Sequence, residues 1–225
     1  MTQRRVRFEY WTDPMCIWAF VAEPKLTRVL EEVGTHLEVD YRIVPVFGSV
    51  TQRLRDGGWA KEGREGRRSA TKKVAVEHGH PDVTGDVWVH DTPTSSWAVG
   101  AAAKAAFLAE AAGAAPGGAG AAYLWALRER FFVHDQNTCR REVQLSVAEQ
   151  VGIDPEAIER RLDDGSALAA LAEDDELRRE RRVQGSPSYV FDGGRTVLYG
   201  NFAWPILCST VSELLQGIGI GASPC

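Results

Sequence analysis

The residues Phe8-Glu9-Tyr10-Trp11-Thr12-Asp13-Pro14-Met15-Cys16-Ile17-Trp18-Ala19 decide how this 225-residue chain folds. Over residues 6–11 the side chains alternate and are rich in aromatics, which is the pattern of a strand. Thr12-Asp13-Pro14 ends it, because aspartate favours turns and proline has no backbone donor. From Ile17 to about Val33 apolar residues return at helical spacing, and Gly34 supplies a stop. Cys16 therefore stands between the end of a strand and the first turn of a helix. A thiolate placed there faces N–H groups that have no partner within the helix, and the positive end of the helix dipole. Both lower a thiol pKa, so Cys16 is the candidate nucleophile. Its neighbours Pro14, Met15, Ile17, Trp18 and Ala19 are candidate substrate contacts.

Further along, residues 37–46 read as a second strand, with Val39, Tyr41 and Ile43 alternating against Glu38, Asp40 and Arg42. If it runs parallel to the first, the connection between them is right-handed. Residues 49–182 contain little that resembles a strand. Helices are expected over 64–79, 94–112, 121–133 and 166–183. Two more are expected from an Asn137-Thr138 cap to Val151 and after the Asp154-Pro155 pair. Strands return at 188–192 and 196–199 around an Asp192-Gly193-Gly194 turn. A helix over 203–216 follows, then a frayed tail over 217–225. The order βαβ, helices, ββα is an α/β thioredoxin fold interrupted by an all-helical insertion. Residues 1–48 form its first half, 49–182 the insertion and 183–225 its second half.

Gly185-Ser186-Pro187-Ser188 precedes the returning strand, where the two halves of the fold meet. A cis bond before Pro187 would present the backbone of Ser186 beside Cys16, its N–H and C=O free to pair with an extended ligand. Ser186 and Pro187 thus join the candidate substrate contacts. Together with the 8–19 stretch, residues 183–191 resemble the cis-proline loop and following strand of the DsbA family, and residues 137–154 resemble that family's later insert helices. The chain is similar in particular to the actinobacterial FrnE-like proteins, the 2-hydroxychromene-2-carboxylate isomerases and the kappa-class glutathione transferases. The resemblance spans nearly the whole chain and implies a DsbA-like fold with its chemistry at Cys16.

One position departs from that pattern. Redox members of the family carry Cys-x-x-Cys, and here Ala19 holds the second place. A dithiol enzyme resolves its mixed disulfide with that second thiol. A lone Cys16 can attack, but it cannot release a disulfide partner unaided. It can add reversibly to an electron-poor double bond, which then rotates as a single bond and re-forms as the other geometric isomer. The expected activity is E/Z isomerisation of a small hydrophobic unsaturated acyl or polyene substrate, free or bound to a carrier protein, with no cofactor required. The N–H groups of Ile17, Trp18 and Ser186 are the expected donors to enolate charge. Two other classes stay open. One is a monothiol oxidoreductase or transferase working with glutathione or mycothiol, and the other is a DsbA-like adaptor without turnover.

Trp11, Trp18, Phe20, Phe47, Trp59, Trp88, Trp97 and Trp125 are expected to fill the core and to line part of a cleft between the lobes, with Trp18 at its mouth. His78-Gly79-His80-Pro81-Asp82 reads as a loop rather than a metal site, and His134-Asp135 as a local cap or turn. Residues 178–182 read as a solvated helix end. Cys139 is expected in the first turn of a helix, as a packed side chain. Cys16, Cys139, Cys208 and Cys225 are widely scattered, so neither a disulfide framework nor a zinc site is expected. A net charge of −5 argues against a general nucleic-acid partner. No apolar run is long enough for a membrane span, and residues 1–11 show no export signal, so the expected compartment is the cytoplasm. No motif carries the oligomeric state, whether monomer or homo- or heterodimer, or a role for Cys139, Cys208 or Cys225.

Overall fold

The computed structural model describes residues 5–216; Cys225 and the rest of the tail lie outside the described residues. Strand β1 (Val6–Thr12) is central in a sheet of order β2-β1-β3-β4. Helix α1 (Ile17–Val33) connects it to β2 (Leu37–Ile43), which runs parallel in a register from Val6 opposite Leu37 to Thr12 opposite Ile43. After the inserted helices, β3 (Ser188–Phe191) pairs antiparallel with β1, and β4 (Thr196–Tyr199) pairs antiparallel with β3. Helix α10 (Trp204–Gln216) then packs on α1. This is the thioredoxin arrangement that the element order predicts.

Both faces of β1 are covered, so its alternation sorts residues between two cores. Phe8 and Tyr10 pack with Leu26 and Val29 of α1 and Leu207 and Val211 of α10. On the other face Trp11 packs with Val44, Val183 and Val190. Glu9 is buried as well, accepting from Trp11 Nε1 at 3.0 Å and lying 3.8 Å from Arg181.

The insertion consists of α2 (Val50–Arg55), α3 (Gly63–Glu77), α4 (Val87–His90), α5 (Ser96–Ala111), α6 (Ala119–Phe132), α7 (Arg141–Gln150), α8 (Pro155–Asp163) and α9 (Ser166–Glu180). The alanine-rich α5 is the hub, packed against α6, α8 and α9. Its small side chains allow close approach. A Cβ on Gly100 would lie 3.1 Å from Ile43 Cγ2 of β2 and 3.3 Å from a Leu171 methyl of α9. The insertion shares one continuous core with Met15, Ile17, Phe20 and Ile43 of the sheet half. A buried polar joint adds to that contact. Asp174 of α9 accepts from Lys104 Nζ at 2.8 Å, Arg42 Nη1 at 2.9 Å and the Ile43 N–H at 2.9 Å.

Some expected boundaries move, for identifiable reasons. The second strand ends at Ile43 rather than Val46, because the N–H groups of Val44 and Val46 go to Thr12 O and Asp13 Oδ2 in the turn. Asn137 does not cap α7; its Oδ1 accepts from the Cys139 N–H at 3.0 Å, and Arg140 is the N-cap. Cys139 consequently precedes the helix. The short helices α2 and α4 were not expected, being too brief to show a period. Among the described residues no helix is long and apolar enough to cross a membrane.

Candidate functional site

Cys16 is the N-cap of α1, with an extended backbone (φ −83°, ψ 114°) and a carbonyl that accepts from the Phe20 N–H at 3.0 Å. Asp13 holds the turn around it. One carboxylate oxygen accepts from the Met15 N–H at 2.7 Å and the other from the Val46 N–H at 2.8 Å. The Asp13 N–H donates to Ser186 Oγ at 2.9 Å, which ties the turn to the loop before β3. The Ser186–Pro187 peptide is cis. Cys16 Sγ donates to the Ser186 carbonyl at 3.2 Å, so the thiol and the proline loop are in contact.

The ionisation of this thiol differs from the expectation. Cys16 is only 5% exposed, and burial raises its pKa above the ordinary thiol value of 9.0. The Ser186 hydroxyl, which can donate to the sulfur, offsets part of that rise. The Asp13 charge adds to it, and the Ala19 and Trp18 N–H groups at the helix start pull the other way. Desolvation outweighs the dipole, because taking a thiolate out of water costs more than one helix terminus returns. Burial thus favours the neutral thiol. The expectation for Ser186 is corrected too: its residue is buried, and its carbonyl is engaged by Cys16 rather than waiting for a ligand. Asp13 is perturbed in the same sense, with burial pushing its carboxyl up to about 6 against the hydrogen bonds that lower it.

An open cavity of about 290 Å³ reaches Cys16. One wall comes from the sheet half: Cys16, Ile17 and Trp18 from the turn, and Gly185 and Ser186 from the loop. Trp18 is 43% exposed, at the rim. The facing wall comes from the segment after β2 and from the insertion: Phe47, Arg53, Trp59 and Arg67. A shallower opening alongside is bounded by Trp18, Ser186, Pro187 and Tyr199. Of the sequence candidates, Pro14, Met15 and Ala19 are buried and line neither space. They back the turn from within. Of the aromatics, Trp18, Phe47 and Trp59 border the cavity, whereas Trp11 and Trp88 are fully buried.

Arg67 escaped the sequence reading because residues 64–79 look like a charged, solvated helix, and Arg53 because α2 is too short to show a period. The Arg67 guanidinium instead lies 4.8 Å from the ring centre of Trp59, 5.3 Å from Trp88 and 5.6 Å from Phe47. Arg53 donates from Nε to Phe47 O and from Nη2 to Val46 O, each at 2.7 Å, which holds this segment in place. The available signal was Trp59, an isolated tryptophan flanked by the basic residues at 53–55 and 64–68.

No disulfide joins Cys16 to the other described thiols. Cys139 Sγ donates to Ser95 O at 3.1 Å and touches Met15 Sδ at 3.8 Å, and burial pushes its pKa up to about 12. Cys208 packs on α10 against the second core. Cys16, Cys139 and Cys208 are all free thiols. The lesser motifs take local roles. His78 and His80 pack against Trp18 and Phe20, and no group of metal-binding side chains occurs among the described residues. Asp135 accepts from Thr84 Oγ1 and the Val87 N–H, and Arg178 and Arg179 pair with Asp175.

Comparison with known proteins agrees with this geometry. A family model described as thioredoxin matches residues 10–196. A ClpXP adapter protein, SpxH, from Halalkalibacterium halodurans is 31% identical over 193 residues, covering 84% of this chain; the chain spans about 60% of that relative's length. Among solved structures, the cytosolic disulfide reductase DsbM from Pseudomonas aeruginosa superposes with a TM-score of 0.65 at 21% identity, over 95% of this chain and 97% of that one. A 2-hydroxychromene-2-carboxylate isomerase superposes with a TM-score of 0.65 at 16% identity, over 96% of this chain and 100% of that one. These likenesses are to the DsbA-like form of the fold.

Proposed function

The chain belongs to the thioredoxin family, and on that premise we propose that it is a cis-trans isomerase in which Cys16 adds reversibly to a conjugated double bond. The observation that carries this reading is the pairing of Cys16 against Ser186 with a fully buried Ala19 in the place of a second cysteine. The Cys16 thiol first gives its proton to solvent base, and regains one from solvent once the cycle closes. The thiolate donates its electron pair to the β-carbon, and the π pair moves onto the conjugated carbonyl as an enolate. The former double bond rotates, the enolate collapses, and the C–S bond breaks to return the thiolate. One bond forms and the same bond breaks, with no net change in electrons or protons. No cofactor is required, and no second thiol is needed to finish. The Trp18 N–H at the helix start can meet negative charge on the sulfur, whereas the Ala19 N–H already donates to the Cys16 carbonyl at 3.1 Å. Trp18, Phe47 and Trp59 suit a small hydrophobic substrate, whether free or held on a carrier protein. We place the reaction in the cytoplasm, where three free thiols are at home.

The test is to follow a conjugated dienone by NMR in thiol-free buffer. Wild type equilibrates the geometric isomers, and Cys16→Ser loses on the order of a thousandfold or more of that rate. Retained activity in Cys16→Ser would remove the covalent route. Because burial raises the Cys16 pKa, the wild-type rate should still be climbing above pH 9.

A second reading has its own support. The opening bounded by Trp18, Pro187 and Tyr199 can receive an extended chain beside Cys16. On that reading Cys16 forms a mixed disulfide that glutathione or mycothiol resolves, or the protein presents a polypeptide without turnover, as an adaptor. Reduction of a model disulfide that depends on added small thiol would favour the first form. Partner binding that survives Cys16→Ser would favour the second.

A further inference from the structure

The insertion wall of the cavity carries positive charge with nothing to neutralise it. Arg67 is half-buried, and among the described residues its guanidinium makes no hydrogen bond or ion pair. Its Nε is buried without a partner. Three aromatic faces, Phe47, Trp59 and Trp88, hold it in place. Those rings supply quadrupole attraction and a dry surround, but no hydrogen-bond acceptor. Arg53 adds a second cation to the same wall, and no acidic side chain lines the cavity. A molecule with a net charge of −5 has thus gathered two guanidinium groups beside its reactive thiol. Burying a donor unpaired is costly, so such an arrangement points to a ligand that completes it. The planar fork of arginine matches a carboxylate with two parallel bonds.

We propose that the ligand of this cavity carries a carboxylate, which docks on Arg67 while the ligand's apolar, reactive part extends toward Cys16 between Trp18 and Trp59. The inference rests on the isomerase reading for what happens at Cys16, but the carboxylate site stands on the insertion wall alone. The same chemistry has two sources: a conjugated acid that is the substrate, or the carboxylates of a small peptide thiol.

Binding is measured in Cys16→Ser, which has no nucleophile, so its outcome is independent of whether the protein isomerises anything. Tryptophan fluorescence, with Trp18 and Trp59 as reporters, follows titration with sorbate, with methyl sorbate and with S-methylglutathione. Sorbate is expected to bind at least tenfold more tightly than its ester. Arg67→Met, which keeps the packed stem, should erase that preference, and Arg67→Lys should restore part of it. Sorbate binding that depends on Arg67 assigns the carboxylate to the substrate. The same dependence seen only for S-methylglutathione assigns it to a small thiol. Equal binding of sorbate and its ester together with S-methylglutathione binding unchanged in Arg67→Met, an acid preference unchanged in Arg67→Met, or no carboxylate binding at all would overturn the proposal. A test of wild-type isomerisation that failed while this binding pattern held would remove the isomerase reading and leave the anion site standing.

Discussion

The two walls of the cavity are built on opposite terms. On the sheet side the turn and the proline loop around Cys16 are tied together by hydrogen bonds. Asp13 takes the Met15 and Val46 N–H groups, Ser186 Oγ takes the Asp13 N–H, and the Ser186 carbonyl takes the thiol. On the insertion side Arg67 is held by rings, with no hydrogen bond or ion pair among the described residues. A saturated network fixes a reacting atom in position, whereas an unsaturated one waits for a partner. On the proposed reading, the chemistry falls to the thioredoxin half and the choice of ligand to the insertion. Loop and helix insertions on a shared scaffold commonly divide labour in this way.

That division holds only if the two halves are rigidly joined, and Asp174 is the joint to break first. Asp174→Ala leaves Lys104 and the Arg42 side chain facing an empty buried site. Removing one member of a buried ionic group costs about 3–5 kcal/mol, which a urea unfolding curve should report as a lower midpoint with an unchanged slope. A loss below about 1 kcal/mol would show that the shared apolar core alone carries the connection.

The saturated wall has a pH signature. The Asp13 carboxyl titrates near 6 in the folded chain, against 3.8 for an unperturbed aspartate. Between those values the folded state keeps a proton that the unfolded state has lost. Stability is therefore highest below the lower value and falls as pH rises through the window, by about 3 kcal/mol in all. Asp13→Asn should flatten that slope between pH 4 and 6 in denaturant titrations, at the expense of one of the two N–H bonds. A wild-type slope of the opposite sign would mean that the turn's hydrogen bonds outweigh desolvation.

The smallest expected effect lies on the open wall. Trp59→Ala removes the ring nearest to the Arg67 guanidinium and part of the apolar lining. About 1–1.5 kcal/mol of contact is lost, so KM should rise roughly tenfold while kcat stays near its original value. An equal loss in kcat would show that this wall also shapes the reacting geometry.

How far residues announced these roles follows the same divide. The turn around Cys16 and the Ser186-Pro187 loop were legible, because strand period, proline and helix start are local signals read over a few residues. The ionisation of Cys16 was not, since the helix start is visible in sequence whereas the depth of burial is set by packing from the insertion. Arg67 was hidden for a related reason. On a helix with so many charges its letters match a solvated face, and only the tertiary meeting of Phe47, Trp59 and Trp88 makes it a buried cation. The cap at Asn137 failed because its side chain serves the turn one step earlier.

Intact-mass spectrometry after quenching with a conjugated dienone bears most directly on the role of Cys16. Reversible addition predicts wild-type protein heavier by the whole mass of the dienone, mapped to Cys16 and missing in Cys16→Ser. A Cys16 that stays unmodified while the dienone isomerises, or that is found instead carrying a small thiol with two hydrogens lost, would contradict it.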